Sequence, residues 1–355
     1  MRTSILALTL SAKDMADVKK AKKTNRRADK GPTPHRLGKA TLMDIAATTL
    51  EKIEQGSYDI EDDSYNLAKS VEEMKKKTTF YSADSSLSGW VKQPDLEGDE
   101  KDTVPEISVA EYSTLTGIRT LVEGLKVVEG TEKRVGALNF ASAKNPGGGF
   151  LTGAQAQVSR FQIFLVVDPR HHLQEESIAR SSTIYPSLMT NAAQKFYISH
   201  KKDPKKGYYS HAMIYSPHVL LIRSDNGDWV EPVEADMLTS CAVNAGVVRR
   251  YLREQNSQDE SDLDAAMRER MARVLYLFER QGVRNLVLGS FGTGVFRNRV
   301  ELVAEAWKEL LVGKKARFRH SFDRVVFAIL GNATYLTFKS VFSDSDGGNG
   351  SSSKG

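Results

Sequence analysis

From residue 107 onward the apolar pattern of the chain changes period again and again, and this alternation constrains the fold more than any other feature. ISVA (107–110) is a short β-prone run, and STLTGIRTLVEGL behind it has helical spacing; VGALNFAS (135–142) is a buried strand. SIARSSTIYPSLM opens a helix, AMIYSPHVLLIR is extended, and SDLDAAMRERMARVLYLFERQG (261–282) is a long amphipathic helix. NLVLGSFG (285–292), VELVAEAWKELLVG and DRVVFAILG (323–331) supply a further strand, helix and strand. Strands alternating with helices predict an α/β domain, a mixed β-sheet sandwiched by helices. Ahead of it, Leu42, Ile45, Ala46, Leu50 and Ile53 recur at helical intervals, and Tyr65 to Met74 reads as another helix. The domain is expected to carry an N-terminal helical accessory region.

Two of these strands run straight into glycine. LNFASAKNPGGGFLTGA places Gly147, Gly148 and Gly149 just past a core strand, where residues without Cβ let the backbone approach a ligand and take positive φ. LGSFGTGVFRN (288–298) leads from a strand through Gly292 and Gly294 into a helix N-terminus, a cradle for anionic oxygens. Phe296 beside it is either a stacking surface for a sugar or base or an ordinary core aromatic. Neither loop has the spacing of a dinucleotide fingerprint, and the Walker Gly-Lys-Ser/Thr ending is absent. A bound nucleotide diphosphate fits both loops, since open α/β sheets bind ligands at the carboxyl ends of their strands.

Glu175 and Glu176 follow Gln174 ahead of a helix, and an acidic pair there is ordinarily a solvated helix start. If residues 158–174 are removed, however, GGG is followed by seven residues and then by Gln157-Glu-Glu. That pattern resembles the catalytic signature of microbial-type poly(ADP-ribose) glycohydrolases, which have a macrodomain-like fold. LNFASAKNPGGGFL is similar to the family's first-strand loop, IYSPHVLLIRSDNG to its YSP segment, TSCAVNAG to its T-x-x-A-x-N-A-G segment, and LGSFGTGVFRN to its second diphosphate loop. The resemblance covers roughly residues 36–340. Ser142 departs from it, standing where such loops commonly carry Asn.

The resemblance implies an ADP-ribose unit with its diphosphate between the two glycine loops and its distal ribose over Gly147–Gly149. It implies contacts from Asn139, Asn145, Gly147, Gly148, Gly149, Gln174, Ser290, Gly292, Thr293, Gly294, Val295 and Phe296. Glu176 is the expected acid and then base, its pKa raised by the neighbouring negative charge; Glu175 is expected to position it. No metal and no cofactor is implied, and the partner is poly(ADP-ribose) or an ADP-ribosylated macromolecule. The rival reading is a non-catalytic ADP-ribose reader disabled by the segment 158–174. A third is an ADP-ribose-1″-phosphate or nucleotide-processing domain on the same cradle.

The segment 158–174 has an unusual form. It begins Val-Ser and ends in Gln, and its seventeen residues correspond to fifty-one nucleotides. An in-frame short intron beginning GTGAGT and ending CAG would be translated this way, so a retained intron is the expectation here.

Composition bounds the rest. Hydrophobic residues make up 40% and charged residues 27%, and no apolar run approaches the length of a membrane span. The single cysteine, Cys241, excludes an internal disulfide and any cysteine zinc cluster. Residues 1–40 hold eleven Lys/Arg against three Asp, so the remaining chain is net −3 of a total +5. KKAKKTNRR (19–27) in that arm is a candidate nuclear-import signal, a weak nucleic-acid tether, or only a solvated tail. The expected organisation is a disordered basic arm (1–34), a catalytic domain (35–341) holding the insert, and a disordered tail (342–355), in the nucleus or the cytoplasm, with no membrane association.

Overall fold

The computed structural model describes residues 38–92, 104–128, 130, 132–152, 174–203 and 206–343. The basic arm and residues 158–173 of the insert lie outside them. Helix α1 (Lys39–Gln55) buries Leu42, Ala46, Thr49 and Ile53 along one stripe and ends at Gly56, whose φ of 80° closes its last turn. Strands β1 (Ser57–Ile60) and β2 (Asp63–Asn66) form a hairpin in which Tyr58 pairs with and stacks on Tyr65 at 5.3 Å. Helix α2 (Ala68–Lys77) and strand β3 (Thr79–Tyr81) follow. The helix expected from Tyr65 thus begins three residues later, because Tyr65 belongs to the hairpin. At four residues each, SYDI and DSYN are too short for their pattern to be told from a loop.

The main domain continues with β4 (Glu106–Ala110), α3 (Thr114–Lys126), β5 (Val135–Phe140), α4 (Gln174–Ser181), α5 (Ile184–Leu188) and α6 (Asn191–Lys201). Then come β6 (Met213–Arg223), β7 (Trp229–Ser240), α7 (Ala245–Glu254), α8 (Ser261–Arg280), β8 (Asn285–Leu288), α9 (Val300–Leu311), β9 (Arg324–Ala328) and α10 (Asn332–Ser343). Helix α10 covers Phe342 and Ser343, so it reaches into the stretch expected to be tail; Phe342 packs on Phe327 at 4.7 Å.

Among the described residues seven strands form one mixed sheet in the order β3-β6-β7-β5-β8-β9-β4. β3, β6 and β7 pair antiparallel, and β7, β5, β8, β9 and β4 run parallel. The central β7 was not legible in the sequence: Pro232 and the acids Glu231, Glu234 and Asp236 interrupt its apolar run, and only its second half is fully buried. The sheet divides the core into two layers. Ala137, Val287 and Val326 face the side of α1 and α3–α6, while Leu138, Leu286, Leu288 and Phe327 face α8, α9 and α10. Gly136 lets α8 close onto β5, since a Cβ there would lie 2.5 Å from the Phe278 ring. The parallel strands all end on one edge, and every loop expected to hold ligand leaves from that edge.

Candidate active site

Helix α4 starts at Gln174, so Gln174, Glu175 and Glu176 form its first turn. What fixes that turn is Gln174. Its Oε1 accepts from the Phe140 N–H (2.6 Å), and its Nε2 donates to the Leu138 carbonyl (2.7 Å) and to Thr114 Oγ1 (3.0 Å). Beyond Ala137, β5 no longer pairs with β8, although it stays paired with β7 to Phe140. The amide of Gln174 fills the vacated edge as a neighbouring strand would. Gln174, expected to contact substrate, has its amide engaged with β5 and Thr114, and it seats the acids.

Both acids are buried, each 3% exposed. Glu175 Oε2 accepts from the Ser142 N–H at 2.6 Å, and Glu176 Oε1 accepts from the Gly149 N–H at 2.9 Å. Gly148 between them takes φ 60°, and a Cβ there would sit 2.2 Å from Glu176 Oε1; only glycine admits the carboxylate. The N–H of Gly148 is taken by the Asn145 carbonyl (3.0 Å), so the triple-glycine run shapes a carboxylate pocket more than it offers three free donors. Ser142, the departure from the family pattern, supports the same loop, its Oγ accepting from the Asn145 N–H at 3.1 Å. Asn145 itself is exposed. Asn139 is buried in β5, its Nδ2 donating to Thr239 Oγ1 (3.1 Å) and its Oδ1 without a partner among the described residues.

Burial raises the pKa of Glu175 well above the usual carboxylate range, and the charge of Glu176 pushes it the same way, against the N–H groups of Ser142, Gly147 and Gly148. Glu176 is also raised, by burial, against the Gly149 N–H and Arg180. The sequence reading attributed the shift at Glu176 to its acidic neighbour; desolvation is the cause there, and the neighbour's charge acts on Glu175. Glu175 Oε1 and Glu176 Oε2 are buried without a hydrogen-bond partner among the described residues. Burial thus favours the protonated form of each carboxyl, the form that can donate to a reacting group.

The second loop stands beside the first, joined at its base where Phe140 packs on Phe291 at 5.5 Å. Ser290 and Thr293 close a turn, the Thr293 N–H and Oγ1 both donating to the Ser290 carbonyl (3.1 and 3.0 Å). Gly292, with φ 74°, accommodates Ala242, which a Cβ would meet at 2.3 Å. After that turn the N–H groups of Gly294, Val295 and Phe296 bond to no other described residue, and nothing lies within 4 Å of the position a Gly294 Cβ would take. Three consecutive N–H groups without a partner among the described residues, at the approach to α9, suit a phosphate. Val295 is exposed, whereas Phe296 is half-buried, with its ring 6.1 Å from Tyr209 and its carbonyl accepting from the Gly246 N–H (3.2 Å).

Comparison with known proteins agrees with this geometry. Residues 46–159 and 171–224 match the family model of the microbial-type PARG catalytic domain. A poly(ADP-ribose) glycohydrolase from Thermomonospora curvata is 32% identical, over 85% of this chain and all of that one, with a TM-score of 0.71. The chain belongs to the microbial-type PARG family. The Thermomonospora curvata enzyme bound to the inhibitor ADP-HPD superposes with a TM-score of 0.68, at 32% identity over 85% of this chain and 99% of that one. The Deinococcus radiodurans enzyme in complex with ADP-ribose gives 0.62, at 28% identity over 77% and 97%. No curated protein sequence matches the chain.

The family match breaks off at 159 and resumes at 171, inside the segment that the sequence reading set apart. Other residues that build this PARG site were missed in the sequence. Thr49 on α1 donates to the Arg180 carbonyl (2.8 Å) and accepts from Arg223 Nε (2.7 Å), so the accessory helix holds α4 in place. Tyr209, ahead of β6, sits between His200 (5.7 Å) and Phe296. Only the tertiary fold brings Thr49 to α4 and Tyr209 to the second loop. Among the described residues no cluster of His, Cys, Asp or Glu is suited to a metal, and no helix is long and apolar enough to cross a membrane.

Proposed function

We propose that this chain is a poly(ADP-ribose) glycohydrolase, a glycosidase that hydrolyses the O-glycosidic ribose bond of ADP-ribose polymers or of ADP-ribosylated targets and releases ADP-ribose. The observation that carries the reading is the pair of buried carboxylate oxygens of Glu175 and Glu176, unpartnered among the described residues, beside the glycine run. Relatives solved with ADP-ribose and with ADP-HPD support the ligand class.

The diphosphate rests on the N–H groups of Gly294, Val295 and Phe296, and the distal ribose lies over Gly147–Gly149 against Phe296. Glu176, whose acid form its burial favours, gives its proton to the departing ribose oxygen while positive charge develops at the anomeric carbon. The resulting carboxylate then takes a proton from the water that attacks that carbon, which restores the acid. Glu175 holds Ser142 and the ribose hydroxyls in place.

Glu176→Gln is expected to lower kcat for ADP-ribose release by about 10²–10⁴-fold, the usual worth of a general acid. ADP-ribose affinity by calorimetry is expected to stay within a few-fold. Full activity in that variant would place the acid elsewhere. Equal, undiminished binding without turnover in the unaltered chain would favour the reader.

The block KKAKKTNRR supports a nuclear site of action, in the reversal of ADP-ribosylation during the DNA damage response. Replacing Lys19, Lys20, Lys22 and Lys23 by Ala should then shift a fluorescent fusion from nucleus to cytoplasm. An unchanged distribution would leave the arm as a solvated tail.

A further inference from the structure

We propose that the cavity between the loop preceding β6 and helices α7 and α8 is a second nucleotide subsite, taking the ADP-ribose unit adjoining the one being cleaved. This rests on the glycohydrolase reading and names its substrate as polymer rather than a single ADP-ribosyl group.

The cavity has a volume of about 300 Å³. That suits a nucleoside with a phosphate, at the lower end of ligand-site sizes. Tyr208, Tyr209 and Tyr251 supply aromatic surface, with Lys206, His211 and Arg270 around them. Lys206 Nζ stands 3.9 Å over the Tyr251 ring. Arg270 is 1% exposed and is held rigidly, donating to the Cys241 carbonyl (2.9 Å) and the Tyr208 carbonyl (2.8 Å), so a fixed positive charge underlies the cavity. Aromatic faces beside lysine and arginine are how single-stranded polynucleotides are gripped without sequence preference, and in KKDPKKGYYSH (201–211) a run of lysines leads directly into two tyrosines. The acids nearby are already engaged. Asp203 accepts from the Gly207 N–H (2.9 Å), Asp259 from the Ser261 N–H (2.9 Å), and Glu260 pairs with Arg249 (2.8 Å). Asp262, exposed in the first turn of α8, does not line the cavity.

Position gives the cavity its role. The acid pocket and the phosphate loop stand over β5 and β8, and the loop before β6 lies on the far side of β7. Tyr209 lines the cavity and also faces Phe296, so the two sites share one wall. That loop holds Lys206 and Tyr209 at φ 43° and 53°, left-handed conformations uncommon for such residues, fastened by the Asn244 N–H to the Gly207 carbonyl (2.8 Å). A polymer whose terminal unit fills the cradle must leave it in some direction, and this cavity is where the next base and phosphate find matching chemistry.

The test compares long fractionated poly(ADP-ribose) with an ADP-ribose aryl glycoside, which carries no second unit. In the full chain, Lys206→Ala and Tyr251→Leu are expected to raise KM for the polymer about tenfold together, with kcat unchanged. Both parameters for the aryl glycoside should hold, and Lys206→Arg should restore much of the loss. Equal losses on both substrates, or none on either, would overturn the subsite. Should the unaltered chain cleave neither substrate, the glycohydrolase reading falls, and affinity decides the subsite by itself. Weakened binding of polymer but not of monomeric ADP-ribose in the double variant supports it, and identical changes overturn it.

Discussion

Glu175 is the residue whose chemistry is most at odds with its surroundings. A carboxyl with a raised folded-state pKa binds its proton more tightly in the native chain than in the unfolded one. Its favourable contribution is therefore complete below the ordinary carboxylate pKa, 4.5, and is lost as pH rises through the elevated native value. Glu175→Gln removes that loss while keeping an oxygen for the Ser142 N–H. Thermal melts are expected to show the variant more stable than the parent by about 3 °C or more at pH 8, with the gap closing towards pH 4. A gap that widens on acidification would mean that the native pKa is depressed. The acids and glycines were legible as residues, since three adjacent glycines and a Gln-Glu-Glu are rare enough to notice. Which of them touch each other was not. Gln174 reads as one more polar group beside a ligand, and only the parting of β5 from β8 shows what its amide does.

At the scale of elements, α1 is the part whose purpose the sequence hid. Its helical spacing was plain, but the partner of its buried threonine lies 131 residues away. Thr49→Val would keep the shape and strand both the Arg180 carbonyl and Arg223 Nε, at a cost of about 2–3 kcal/mol. Urea unfolding should show that loss in full, and kcat should fall with it because α4 carries the acids; a stability loss with unchanged kcat would detach the accessory helix from catalysis. The same length scale explains where strand reading failed. β5, β8 and β9 are short and apolar because helices cover both their faces, whereas the outer half of β7 is only partly buried and keeps proline and acids that local patterns assign to loops.

For the whole molecule, the alternating pattern sufficed to place the ligand edge, because parallel strands joined by helices must all end on the same side. It could not establish whether residues 158–174 belong there. We propose that they are a retained intron, motivated by their ends and by the break in the family match. A chain lacking them brings Gln157 directly before Glu175 and should keep the fold with turnover equal to or above that of the longer form. Reduced turnover would show that the segment serves the enzyme, and transcripts with no splice junction there would defeat the intron origin.

The hook that Gln174 makes onto β5 has one more effect. Thr152 is tied to the Gly149 carbonyl, and Gln174 to β5 and Thr114, each by its own bonds to described residues. The two glutamates are thus seated by the amide of Gln174 rather than by the chain immediately before it.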